Sequence, residues 1–446
     1  MHRSAITITF MYVITTTIGS LSPSAASADE ARSLREVSCM IRNDKFDYVL
    51  PGAMRRNGID MWIVLDRGRG TEPMSRDFGS DTVNGQGIYV FFDPGEGRIE
   101  RIQLGSDTDM AEDCGAYDMF GEIGQLESIV EKRDPKVIAL NFLAIPNITE
   151  GLHLADGISH TDYKFLENEL GEVYASRFVS AQHLIADFHG ERVAGEIIEF
   201  SKIGDITRKA IERALSNEVI TPGKTSLNDV VLWLEERRQE MGLQRGWYPS
   251  ITVSYPSGRS IGDSDYVIQR GDVFRIDWGI GRNNFSTDIK RFAYVLKEGE
   301  TKAPPGVLKA FEEAKKVGEI IRKNVRSGRT GREQLNDLKQ IIRDAGYVYT
   351  EVEYASDVPG IEVNVGMHAA GNIGHDVAAG LFEIFPERTK YVVRPNSIIS
   401  LEYRIFFPAA EWNGAKIPVH VEENALITER GIEWLYPPQH HVLLIR

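Results

Sequence analysis

Between residues 33 and 192 short apolar runs alternate with amphipathic stretches. Residues 61–65, 88–92 and 137–140 read as strands, and residues 121–133 and 160–170 have helical spacing. Strands interleaved with helices predict a smaller α/β domain, over about residues 29–189. From Ala194 the periods lengthen. A helix is expected over 194–215, a turn over 221–225, a second helix over 227–241, and then a hairpin in the segment GDVFRIDWGIGRNNFSTDIKRFAYV. The same order returns in residues 305–325, 327–330 and 332–345, again followed by apolar strands. Repetition of helix, Gly-basic-Thr turn, helix and strand pair predicts two similar halves about a pseudo-twofold axis over residues 190–446. The expected fold class is α+β in two domains, as 446 residues also suggest. Gly223-Lys224-Thr225 resembles the end of a phosphate-binding loop, but Glu218 stands where that motif needs glycine and no strand feeds the turn. It is read as a helix-to-helix connection.

Charge narrows the partners. With 51 Lys+Arg against 65 Asp+Glu the net charge is −14, which disfavours a general nucleic-acid or anionic-membrane binder. The first residues change the expected compartment. Arg3, an apolar stretch over residues 5–21 and Ala26-Ser27-Ala28 before Asp29 predict a secretory signal cut after Ala28, giving a secreted or periplasmic protein without a membrane anchor. Two cysteines, Cys39 and Cys114, are free to pair in an oxidising compartment, and sequence leaves that pairing open. Both lie far from the acidic residues that follow, which argues against a cysteine nucleophile or thiolate site.

Five residues carry the candidate chemistry: Asp277, Asp288, His368, Glu402 and Glu422. The two aspartates flank the predicted hairpin. Glu402 and Glu422 interrupt strands of Ile, Leu and Val, where an ionised acid is costly unless neutralised. Carboxylates with imidazole suit hard or borderline divalent cations, and acids gathered at one place must share cations because bare like charges repel. Two histidines seven residues apart, His368 and His375, sit in a glycine-rich run ending at Asp376.

These positions resemble the creatinase, aminopeptidase P, prolidase and methionine aminopeptidase family of pita-bread metallohydrolases. The pattern is Asp, ten residues, Asp, then His, then Glu on a strand, then a last Glu before Thr428-Glu429-Arg430-Gly431. The N-terminal domain resembles that of the longer, proline-directed members. The resemblance implies two divalent cations (Mn2+, Zn2+ or Co2+), with Asp277 on one, Asp288 and Glu422 bridging, and His368 and Glu402 on the other. It implies Glu402 as proton acceptor, His375 as donor to the substrate, a peptide or small-molecule substrate, and a homodimer. His183, His189, His440 and His441 have no matching partners and are read as structural or surface, while Tyr403 and Arg404 are candidates to line the pocket.

Some positions depart from the family pattern. Ser260-Ile261-Gly262 stands where many peptidase members have a loop histidine, His420 replaces an arginine two residues before the last glutamate, and no proline follows Asp376. The expectation is therefore an exported dinuclear metallopeptidase with weak activity on standard Xaa-Pro peptides. The alternatives are a creatinase-like small-molecule hydrolase or lyase and a non-catalytic binding protein.

Overall fold

The apolar runs of the N-terminal third assemble into a six-stranded mixed sheet. In the computed structural model, which describes residues 25–68, 71–79, 86–105, 109–145, 151–255 and 260–446, these strands are β1 (Met61–Asp66), β2 (Gly87–Phe92), β3 (Glu100–Leu104), β4 (Met119–Gly121), β5 (Ile138–Leu140) and β6 (Phe178–Ser180). Their spatial order is β4-β3-β2-β1-β5-β6. Helices α1 (Ala25–Asp44), α2 (Leu126–Arg133), α3 (His160–Ala175) and α4 (Gln182–Gly190) accompany it. Trp62 packs on Phe91 of the neighbouring strand and on Phe188 of α4, and its indole donates to Asn141 Oδ1 at 2.7 Å. This hydrophobic core runs on into the second half of the chain. Burial of large aromatic surfaces on one side of β1 and β2 is what fixes the sheet there.

Cys39 of α1 is bonded to Cys114, with Cα atoms 5.3 Å apart at a sequence separation of 75. Closing a loop of that length removes unfolded-chain entropy worth about 4 kcal/mol in the loop-closure account. The apolar leader at residues 5–21 lies outside the described residues. The expected cut after Ala28 falls within the first two turns of α1. No helix among the described residues is long and apolar enough to cross a membrane.

The second half is built on an eleven-stranded sheet. Its main strands are β7 (Ser250–Ser254), β8 (Ser260–Ile261), β9 (Val273–Trp278), β10 (Ile289–Val295), β11 (Glu362–Val365), β12 (His368–Ala369), β13 (Ser397–Pro408) and β14 (Lys416–Thr428). From the short strand at Val348–Tyr349 the order is β11-β13-β14-β10-β9-β7-β8, with β12 paired to β13. Helices α5 (Ala194–Ala214), α6 (Leu227–Glu240), α7 (Pro305–Asn324) and α8 (Gly331–Asp344) match the expected repeat to within a residue or two at each end. The connections repeat as well. Ser226 and Thr330 accept from the backbone N–H groups of Asp229 and Glu333, whose carboxylates return the bond, so both second helices start on a capping box. Gly223 takes φ of 81° in the first connection, a turn conformation open to glycine, in agreement with reading 223–225 as a turn.

The expected hairpin is present with an insertion at its tip. β9 and β10 pair antiparallel, and the residues between them add two short strands, Ile280–Arg282 and Phe285–Ser286, joined by Asn283 and Asn284 at φ of 51° and 68°. Two consecutive left-handed asparagines make the tight turn whose twist suits a β-hairpin. Ile261 is placed differently from the expectation. It lies on an outer strand, 36% exposed and paired with Val253, and does not line the cavity that holds Asp277. The expectation of weak activity on Xaa-Pro peptides therefore draws no support from Ile261.

Candidate metal centre

Strand register alone assembles most of the site. Asp277 of β9 stands opposite Lys290 of β10, Lys290 opposite Glu422 of β14, and Glu422 opposite Glu402 of β13. Opposed residues of an antiparallel pair place side chains on one face at about 4.5–5.5 Å between Cβ atoms. Asp288 precedes β10, two residues before Lys290, and its N–H donates to Asn424 Oδ1 at 2.9 Å. β12 adds His368, opposite Ser400. Every ligand expected from the sequence thus converges on one point of the central strands.

The distances define a pocket of acids around an imidazole. His368 Nε2 lies 3.3 Å from Glu422 Oε1, 3.7 Å from Asp288 Oδ2 and 3.9 Å from Glu402 Oε2. Its other ring nitrogen is 3.1 Å from the Ala369 carbonyl, a contact that requires Nδ1–H and turns Nε2 toward the acids. Ser400 donates to Glu422 Oε1 at 2.6 Å. His375 stacks on His368, with ring centroids 3.9 Å apart and planes 16° apart, and its Nε2 is 3.5 Å from Asp288 Oδ2. The ligand atoms of Asp277, Asp288 and Glu422, of His368, Glu402 and Glu422, and of Asp288, His368 and His375 form three sets that could each hold an ion.

The donor set passes an internal test for a cation. Buried His368 Nε2 and Asp288 Oδ1 meet no hydrogen-bond partner among the described residues, although His368 Nε2 lies within 4 Å of three carboxylates. Burial, then Glu422 and Asp277, push the Asp288 carboxyl well above its ordinary range. Burial also raises Asp277, with Lys290 opposing. Burial alone would raise Glu422, but the Lys290 ammonium and His368 hold it well below the usual range. An acid cluster that favours a bound proton in its own field is one in which a divalent cation replaces that proton.

Lys290 was not among the residues singled out from the sequence. Its Nζ touches Glu402 Oε1 at 2.8 Å and Asp277 Oδ2 at 3.0 Å, and donates a short bond to Glu422. Burial would lower its pKa, but the four surrounding acids, led by Glu402, keep it well above normal. Arg404, on the same face of β13 two residues from Glu402, donates to Glu402 Oε1 at 2.7 Å and to Asn364 Oδ1 at 2.9 Å. Tyr403 points the other way and donates to the Ala314 carbonyl of α7. Of that pair only Arg404 lines the site.

A second buried network fixes the loop that carries His375. Asp376 accepts from His189 Nδ1 at 2.8 Å, from Arg192 at 2.6 Å and from the backbone N–H groups of Asn372 and Val377. Burial would raise its pKa, yet His189 and Arg192 hold it far below the usual carboxylate range. A side chain at Gly371 would meet Arg192 Nη2 at 1.9 Å, so this loop needs glycine there. His189 is structural, as expected, but its partner lies 187 residues away.

The centre opens into a cavity of about 490 Å³. Trp247, Phe382, Ile384 and Phe385 supply apolar wall, and Arg275, Arg404, His420 and Glu353 supply polar wall. Burial, then Arg275 and Arg404, keep His420 neutral by pushing its pKa well below normal.

This fold has solved counterparts. An X-Pro aminopeptidase from Thermotoga maritima superposes with a TM-score of 0.62 over 88% of this chain and 99% of that one, at 18% identity. A Xaa-Pro dipeptidase from Bacillus anthracis does so with a TM-score of 0.58 over 91% and 99%, again at 18% identity. Such likeness defines the class as the two-domain pita-bread fold. In sequence, the Xaa-Pro dipeptidase of Pyrococcus furiosus is 25% identical over 332 residues, covering 72% of this chain and 85% of the relative. Residues 199–429 match Metallopeptidase family M24, and the chain belongs to that family.

Proposed function

We propose that the protein is an exported, metal-dependent exopeptidase that hydrolyses short peptides, best of all dipeptides, with proline after the scissile bond as the first substrate to test. One observation carries the reading. Four carboxylates and an imidazole meet in one cluster in which His368 Nε2 and Asp288 Oδ1 have no hydrogen-bond partner among the described residues. Asp277, Asp288, His368, Glu402 and Glu422 would hold the cation, with Mn2+, Zn2+ and Co2+ as the candidates for this donor set. A cation there supplies Lewis acidity and lowers the pKa of water near neutrality.

The remaining steps fall to the chain's own groups. Glu402 takes the proton of the attacking water. Lys290 and Arg404 occupy its Oε1, leaving Oε2 toward the site. His375 has a half-exposed side chain, and its pKa is pushed down to about 2 by His368 and burial, so it donates to the substrate carbonyl as a neutral N–H. Arg275, on the cavity wall two residues before Asp277, is placed to take a free terminal carboxylate, which is why a dipeptide is preferred. The relatives matched in sequence are named Xaa-Pro dipeptidases, consistent with this choice. Export is supported by the N-terminal pattern and by the Cys39–Cys114 bridge, since such bonds persist in oxidising compartments. N-terminal sequencing of secreted material starting at Asp29 would agree, and a retained Met1 in the cytoplasm would not. The homodimer implied by the family resemblance is tested by sizing the secreted protein.

The experiment is hydrolysis by chelator-stripped protein reloaded with each cation, on Xaa-Pro dipeptides, other dipeptides and their C-terminal amides. Cation-dependent cleavage that needs the free carboxylate is expected, and Arg275→Gln should raise KM for dipeptides while sparing the amides. Failure to cleave any peptide with any cation would overturn the reading.

A further inference from the structure

A lysine stands in the middle of the acid row. Four strands place Asp277, Lys290, Glu422 and Glu402 side by side, so the backbone register, independently of any rotamer, sets the ammonium between carboxylates expected to share two cations. Its side chain is nine-tenths buried. Nζ lies against Asp277 Oδ2, Glu402 Oε1 and Glu422 Oε2 at once, whereas His368 Nε2 faces the other oxygens of the two glutamates, Glu402 Oε2 and Glu422 Oε1, together with Asp288 Oδ2.

We infer that the Lys290 ammonium replaces one of the two cations, so the centre binds a single divalent metal through Asp288, His368, Glu402 and Glu422 while Asp277 serves as a partner to the lysine. This rests on the metallopeptidase reading and deepens it. Charge agrees with geometry. Four carboxylates, less the two cations in direct contact with them, Lys290 and Arg404, leave two negative charges, which one divalent ion neutralises. Counting Glu353, 3.4 Å from Arg404, together with Arg275 on the cavity wall leaves that balance unchanged. A second divalent ion would have to sit beside an ammonium that already occupies Asp277, Glu402 and Glu422, and it would leave the buried centre with a net positive charge. A fixed ammonium in place of an ion also means that one charge of the centre cannot be removed by a chelator.

The test is metal content, read without reference to turnover. Protein stripped with chelator is dialysed against excess Mn2+, the bound metal is measured per chain, and the Mn2+ electron paramagnetic resonance spectrum is recorded. Wild type should hold about one ion with the six-line signal of an isolated centre, and Lys290→Ser should rise to about two with an exchange-coupled signal. Two coupled ions in the wild type would overturn the inference and leave the metallopeptidase reading standing. A folded Lys290→Ser that stays at one ion would also overturn it. Should that variant fail to fold, the wild-type spectrum decides alone. No bound metal in wild type together with no peptide cleavage would defeat the underlying reading, a different outcome from either of these.

Discussion

Two buried charge clusters lie within a few residues of one another, and they solve the same electrostatic problem in opposite ways. Around Asp376 the acid is matched inside the protein. His189, Arg192 and two backbone N–H groups saturate its oxygens, and its pKa falls far below normal. Around Asp288 the acids outnumber the bases. Oδ1 of Asp288 has no hydrogen-bond partner among the described residues, and the Asp288 pKa rises well above normal. Saturated charge makes a rigid support, and unsaturated charge makes a site that stores affinity for a cation. The loop bearing His375 belongs to the first kind and delivers its side chain to the second.

The sharpest way to break this contrast is to neutralise one acid on each side. Asp288→Asn should abolish tight cation binding and cut peptide hydrolysis by about a thousandfold, since a Lewis acid worth about 4 kcal/mol is lost. The melting temperature of its metal-free form should hold or rise, because repulsion with Glu422 and Asp277 is relieved. Asp288→Asn with full activity and full metal content would remove the site from that position.

Glu402→Gln should lower kcat by at least about two orders of magnitude through loss of the proton acceptor, with the metal retained more weakly. Metal analysis beside single-turnover rates separates the two effects. An unchanged kcat would take the base role from Glu402.

On the saturated side, Asp376→Asn should leave the cation ligands in place but cost about 3–5 kcal/mol of stability, because Arg192 is left buried and under-compensated. Denaturant unfolding of the metal-free protein is the check. A loss of metal binding without a loss of stability would show that the two clusters are not divided as described.

The ligands were legible because each is an acid or histidine set where apolar neighbours make it costly, and because their order and spacing match the pita-bread pattern. The helices and the strands carrying them were legible from periodicity to within a residue or two at most ends. Lys290 was visible in principle. A lysine two residues after Asp288 on a strand shares its face, yet it reads as a solvated basic residue until the register with Asp277 and Glu422 is known. The partnership of Asp376 with His189 and Arg192 has no local period, since the partners are 187 and 184 residues away. Ile261 was misplaced for the same reason: whether a short loop residue faces a site depends on pairing with β7, which sequence does not show.

A smaller effect comes from a third buried acid, in the N-terminal third of the chain. Glu72, buried against Asn141 and the Met74 N–H, has its pKa raised by burial from 4.5 to about 8. The folded state therefore holds this proton more tightly than the unfolded chain. Its contribution is fully present below about pH 4.5 and is lost as pH rises through about 8, at no more than about 1.4 kcal/mol per pH unit. Glu72→Gln should flatten the decline of melting temperature across that window, and a wild-type profile identical to the variant's would show that Glu72 does not titrate there.

Calorimetric titration of Mn2+ into chelator-stripped protein, in two buffers of different ionisation enthalpy, tests the central claim most directly. Saturable binding with proton release is predicted, because the cation displaces a proton from the acid cluster, and Asp288→Asn should lose both the binding and the proton. A wild-type protein that takes up no Mn2+, Zn2+ or Co2+ would contradict the account, since the unmatched acids would then be stable without the charge they are argued to lack.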